Sequence, residues 1–171
     1  MERNKFGFLQ LLKQYGVLRF LESLSLWSSV LLTLIYYLVF FEFKEFFPHI
    51  LISHEEFHKL LVGTSASLFG ILFAAFAVIV ALSDKEFVKL LQKLDILTNL
   101  FFPFWYTSFL YLLSIIINLF SLILFNKLQC IFSTLGVFIF FWAVTESFYI
   151  VSTAVKFGLY RAELYTEKPN I

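Results

Sequence analysis

Four stretches of this chain, residues 24–41, 62–82, 104–125 and 131–155, are apolar over lengths that suit a bilayer crossing, which takes about 20 residues as a helix. Nothing else in the sequence constrains the fold as strongly. With 60% hydrophobic and 15% charged residues and a mean hydropathy of +0.86, the chain lies outside the composition of soluble domains. The 171 residues leave no room for a separate soluble domain. The expectation is an all-α membrane protein of four transmembrane helices.

Orientation follows from the basic side chains, because short loops rich in Lys and Arg stay cytoplasmic. Arg3, Lys5, Lys13 and Arg19 precede span one, Lys85, Lys89 and Lys93 lie between spans two and three, and Lys156, Arg161 and Lys168 follow span four. Only Lys44, Lys59 and Lys127 fall on the other side. Both termini are therefore expected in the cytoplasm, with the protein in the inner (cytoplasmic) membrane. The first span is too long for a cleavable signal peptide and should remain as an anchor.

The connecting segments fit this layout. Residues 1–23 mix large apolar groups with Lys13, Gln14 and Arg19, the pattern of a basic amphipathic helix in the inner interface. Residues 83–103 open with Ser83 and Glu86, a capping-box spelling. An apolar face of Phe87, Leu90, Leu91 and Leu94 and a basic stripe of Lys85, Lys89 and Lys93 follow, so a second surface helix is expected there. Pro103 punctuates the entry to span three, the short "NKLQC" forces a hairpin between spans three and four, and residues 156–171 form a cytoplasmic tail.

Within the spans, Gly63, Ser67, Gly70, Ala74, Ala77 and Ala81 recur at intervals of three and four. Such a stripe lets helix backbones approach closely in lipid, whether the partner is in the same chain or in another copy. Span three carries Ser108, Tyr111, Ser114, Asn118 and Ser121 on one polar seam; span four carries Thr145, Tyr149, Ser152 and Lys156 on another, with Thr153 beside it. These seams either bind helices together or line water.

Glu146 lies inside span four, where an ionised carboxylate is costly and by default marks function. No Lys or Arg occurs within any span to pair with it. Counting from the inner ends places it level with Thr33, Phe73 and Leu113, within a turn of Tyr111, Ser114 and Ala74. The expectation is a polar layer near mid-membrane, with Glu146 hydrogen-bonded to Tyr111 or Ser114 or facing a water path.

The segment 42–61 holds four glutamates and all three histidines, and "HEEFH" at 54–58 has the spelling of a zinc peptidase helix. Three considerations weigh against peptidase chemistry. A third ligand is needed, Glu56 and Lys59 put charge where such a helix would pack, and a loop of this length has no domain behind it to wall a cleft. An external acidic rim is expected, with a weak metal site at His54 and His58 as the lesser possibility and no cofactor required. The single Cys130 excludes an internal disulfide.

The small-residue second span running into "ALSDKEFVKLLQKL", followed by "LFFPFWYTSFLYLLSIIINLF", resembles the compact membrane subunits of bacterial antiphage systems, the Hailong membrane effector and the Kiwa membrane subunit. The resemblance implies a homotetramer: in the first case an ion channel opened by a DNA-derived signal, in the second a sensor bound to a cytoplasmic partner. The expected function is thus a homo-oligomeric channel or pore-forming effector, not an enzyme, gated from the cytoplasm. Glu146, Tyr111, Ser114, Asn118, Ser121, Thr145, Tyr149 and Thr153 would line the path. Lys85, Lys89, Lys93 and Arg161 would meet membrane lipids, an oligonucleotide or a partner protein from the same operon. A non-conducting scaffold that recruits a cytoplasmic effector is the alternative, and a membrane metallopeptidase a remote one.

Overall fold

The computed structural model describes residues 23–42, 53–81, 96–124 and 126–166. Their regular structure is all helical: α1, Leu24–Tyr37; α2, His54–Ala81; α3, Ile96–Ile123; and α4, Asn126–Thr166. The expected interfacial helix over 1–23, all but Ser23, the part of the 42–61 segment with His49, and the basic stripe Lys85, Lys89 and Lys93 lie outside the described residues. Three helical segments, His54–Ala81, Phe101–Ile123 and Leu128–Val155, are long and apolar enough to cross a membrane; Leu24–Phe40 is apolar but shorter. Leu31, Ile71, Phe120, Ile123 and Phe148 are each at least half exposed, a surface suited to lipid rather than water.

Each helix start has a local cause. The Ser23 hydroxyl accepts from Leu26 N–H and caps α1. Ser53 caps α2: its Oγ accepts from Glu56 N–H at 3.2 Å and its carbonyl from Phe57 N–H at 3.0 Å. Glu55 and Glu56 then sit in the first turn, where carboxylates complement the helix dipole. The segment 42–61 is therefore not all loop, since α2 begins at His54 and HEEFH is its opening turn. α1 ends in a π-helical turn, Leu38–Glu42.

One further expectation is corrected. Pro103 lies inside α3 rather than at its start; it removes one intrahelical donor, and the helix begins at Ile96 all the same. The apolar stretch of α4 is Leu128–Val155, and its helix runs on to Thr166, about 60 Å in all at 1.5 Å per residue. NKLQC belongs to α4 from Asn126 onward, and the hairpin is tighter than expected, with Leu124 N–H still bonded to Phe120 O.

α3 and α4 form the central antiparallel pair. Tyr106 meets Trp142 edge-on at 5.9 Å between ring centroids, and Phe120 meets Phe132 at 6.2 Å. Phe102, Leu110, Tyr111, Ile117, Ile139 and Ala143 fill the seam. At Gly136 the helices come so close that an added Cβ would lie 2.7 Å from Asn118 Oδ1. α2 packs on α3 and α1 packs on α4, and the C-terminal end of α1 meets the N-terminal end of α2 where Phe57 stacks on Tyr36 at 5.3 Å.

α2 buries His58, Leu61, Ser65 and Leu72, spaced by three, four and seven residues along one face. Gly63, Ser67, Gly70, Ala74, Ala77 and Ala81 are all exposed. At about 100° per residue, Ser65 and Ser67 differ by about 200°, so the small-residue stripe points away from its own bundle. A Cβ at Gly63 or Gly70 would meet nothing within 4 Å.

Candidate functional site

The polar residues fall into two sites at opposite ends of the bundle. Ser133 and Glu146 mark them, 13 residues apart on α4, or about 20 Å.

The first site, called outer (and the second inner) after the orientation expected from the basic residues, centres on Ser133, which is fully buried. Three groups from two other helices converge on its Oγ: His58 Nε2 at 2.7 Å, Tyr36 Oη at 2.8 Å and His54 Nε2 at 2.9 Å. His58 is fully buried and its Nδ1 lies 2.6 Å from Asn118 Oδ1. The Asn118 amide is oriented by its other end, because Nδ2 donates to Ser114 O at 2.8 Å and to Ser114 Oγ at 3.2 Å. Its oxygen therefore faces His58, which must carry its proton on Nδ1 and leave a lone pair on Nε2. Ser133 donates its one proton to that lone pair and accepts from Tyr36 O–H and His54 Nε2–H, so the network closes. Ser65 Oγ extends it inward to Ser114 Oγ at 3.3 Å.

Ser133, His58 and Asn118 stand in the order of nucleophile, base and orienting group. All three have 0% exposure, and the Ser133 oxygen is enclosed by its three partners, so the arrangement offers no position for a substrate carbon. Nor does HEEFH take up a peptidase geometry. Glu55, the carboxylate that would activate water, is turned outward and paired with Lys59, both more than 60% exposed.

The inner site is a cleft of about 720 Å³ between α1, α3 and α4, lined among others by Ser25, Ser28, Phe102, Pro103, Thr145, Glu146 and Tyr149. Glu146 is half-buried and accepts from Ser25 Oγ at 2.5 Å. Thr145 Oγ1 donates to the carbonyls of Phe141, Trp142 and Ser25, in a shared, multicentre contact.

Comparison with protein family models, curated proteins and solved structures gives no match to this chain.

The expected mid-membrane layer is thus corrected. Glu146 is level with Ser25, the second residue of α1, and not with Thr33. Tyr111 bonds Ser147 at 2.8 Å instead of Glu146, and Ser114 belongs to the outer network. Inner-end counting failed because residue 155 is not level with the start of α1: Glu146 already meets Ser25, so the apolar stretch of α4 runs nine residues further in that direction. The span-three seam is spent inside the bundle, with Tyr111, Ser114, Asn118 and Ser121 no more than 1% exposed. From the span-four seam, Thr145 and Tyr149 do flank Glu146, while Thr153 turns its hydroxyl back onto Tyr149 O. Arg161 lies on the α4 extension.

The sequence reasoning missed Ser133, Tyr36 and Ser25. The signal for the first two was present: Ser53 with Glu56 three residues on spells a capping box. A helix starting at His54 puts His54, His58, Leu61 and Ser65 on one face, which requires polar partners for both imidazoles.

Proposed function

We propose that the chain is a four-span homo-oligomer, a tetramer, that conducts cations across the inner membrane past Glu146 when opened from the cytoplasmic side, in the antiphage role that the family resemblance implies. The observation that carries this reading is the small-residue face of α2, turned away from its own bundle and unfilled at Gly63 and Gly70. A second copy of α2 fits there, because small side chains let backbones approach in lipid. One bundle of four helices is too thin to enclose water, so a path needs several copies. Glu146 from each copy would then form a ring favouring cations, with Thr145, Tyr149, Ser25 and Ser28 as its neighbours in place of the buried seam of α3. Both termini are cytoplasmic in this arrangement. Lys85, Lys89, Lys93 and Arg161 face lipid phosphates, an oligonucleotide or an operon partner there.

The mass of the detergent-purified protein by light scattering, with detergent subtracted, tests the assembly, and a monomer would remove the oligomer and the path with it. Currents across planar bilayers test the chemistry. Glu146→Gln keeps an oxygen for the Ser25 hydroxyl and should leave the assembly unaltered while lowering cation-over-anion preference. Unchanged current and selectivity in that variant would detach Glu146 from conduction.

A second reading, a non-conducting scaffold that recruits a cytoplasmic effector, is favoured by the burial of Tyr111, Ser114, Asn118 and Ser121 in the α3 seam, which makes them interhelical glue. Co-purification of a cytoplasmic partner, with no current under any condition, would select it.

A further inference from the structure

We propose that the cleft between α1, α3 and α4 binds an ammonium group carried on an apolar chain, with Glu146 as its counter-charge. A membrane lipid with an amine headgroup and a free amphiphilic amine both present that chemistry. The proposal uses the bilayer arrangement of the spans given above. The cleft lies within one chain, so it requires neither an oligomer nor conduction.

The polar groups of the cleft are acceptors whose own protons are already spent. Ser25 Oγ gives its proton to Glu146 Oε1 at 2.5 Å, Ser28 Oγ donates to Ser25 O at 2.9 Å, and the Thr145 hydroxyl is shared among the carbonyls of Phe141, Trp142 and Ser25. The three hydroxyl oxygens keep lone pairs, and the carboxylate has a second oxygen besides the one that Ser25 meets. An ammonium group, with three donors and no acceptor, is the complement of this set. Glu146 is also the one charged side chain among the described residues that line the cleft. A carboxylate without a cation is costly at membrane depth, so an arriving ammonium relieves that cost and gains charge-assisted hydrogen bonds.

The walls suit the rest of such a ligand. Phe102 and Tyr106, both buried and stacked at 5.9 Å between centroids, back the cleft, while Phe148 and Tyr149 at its mouth are half exposed or more. Ring faces attract an ammonium group and pack against the methylenes beside it. The volume of about 720 Å³ lies within the roughly 300–1,000 Å³ of small-molecule sites. A bare calcium or magnesium ion takes about six oxygens, which one carboxylate among aromatic rings does not supply. Depth agrees as well. Glu146 stands about 27 Å along α4 from Leu128, where the apolar stretch begins, against a hydrocarbon thickness of about 30 Å. The apolar segments of α1 and α3 start at the same level, at Leu24 and Phe101. The mouth is therefore at the edge of the hydrocarbon, where an amine meets the carboxylate while its chain stays in lipid.

The full-length protein in non-ionic detergent is titrated at neutral pH with dodecylammonium by calorimetry, with dodecanol as the uncharged control. In a second arm it is reconstituted with phosphatidylethanolamine and phosphatidylglycerol, and the lipids retained per chain are counted by native mass spectrometry. One dodecylammonium per chain is expected, with no saturable binding of dodecanol. Glu146→Gln keeps an oxygen for Ser25 and should weaken binding at least about 10-fold at unchanged helicity. Thr145→Val removes one acceptor at nearly constant volume and should weaken it by about 3-fold, a readout that stands even where Glu146→Gln fails to fold. Retention of phosphatidylethanolamine over phosphatidylglycerol assigns the site to lipid, and binding of dodecylammonium alone assigns it to a free amine. No saturable dodecylammonium binding at about 1 mM with no preference between the lipids, or equal binding in Glu146→Gln and the natural chain, overturns the proposal. A monomeric mass beside saturable amine binding removes the oligomer and leaves this site standing.

Discussion

Gly136→Ala adds one methyl group at the narrowest point between α3 and α4. The new Cβ lies 2.7 Å from Asn118 Oδ1 and 2.9 Å from its Cγ and Nδ2, where non-bonded carbon contacts settle at about 3.5 Å or more. The amide would have to retreat by about 0.7 Å, and it is held on both sides, by His58 through Oδ1 and by Ser114 through Nδ2. Two outcomes are open to the molecule. Either the helices separate, at the roughly 1–3 kcal/mol typical of overpacking, or the amide turns and leaves the buried His58 N–H unpaired, at about 1–3 kcal/mol. A loss of about 2–3 kcal/mol is expected, although alanine is the better helix former by about 1 kcal/mol. Reversible unfolding in mixed micelles, followed by tryptophan fluorescence, measures it. In an Asn118→Ala background the obstacle is gone, and Gly136→Ala should then be neutral or stabilising by up to about 1 kcal/mol, giving a coupling of about 2 kcal/mol or more in the cycle. Equal destabilisation in both backgrounds, or none in the natural chain, would refute the clash.

Three further outcomes are expected. Thr107 is fully buried and its hydroxyl lacks a partner among the described residues. The near-isosteric Thr107→Val should therefore be neutral or stabilising by up to about 1 kcal/mol, and a loss above that in the same unfolding assay would reveal a bond. Tyr36→Phe keeps the ring against Phe40 and Phe57 and removes one donor from Ser133, so a loss near 1 kcal/mol is expected. Gly70→Ile places a branched side chain on the open face of α2; circular dichroism and single-chain unfolding should stay unchanged while the mass by light scattering falls toward that of one chain.

Much of the architecture is legible in the sequence because apolar length and periodicity survive folding. The intervals of Ser114, Asn118 and Ser121 fix one polar face of α3, and that face is indeed single and continuous. What periodicity cannot fix is the neighbour of a face: the seam meets α2 and α4 of its own chain, and the small-residue stripe of α2, with an equally regular period, meets neither. Glu146 was legible as a buried-helix carboxylate and misplaced in depth, since residue 155 is not level with the start of α1 and the apolar stretch of α4 runs nine residues past the contact with Ser25. The histidines were misread because their charged neighbours Glu55, Glu56 and Lys59 dominate the local composition. In a helix those three point outward and say nothing of the face that carries His58.

The length of α4 has a mechanical consequence. Ser133 is pinned at the outer end by three hydrogen bonds, and position 161 lies 28 residues further along an unbroken helix, a lever arm of roughly 42 Å. Pivoting the rod by about 10° at that fulcrum would sweep its far end by about 7 Å. Because α4 is held against α1 and α3 along the way, by Ser25 on Glu146 and Tyr111 on Ser147, such a tilt would have to carry those contacts with it.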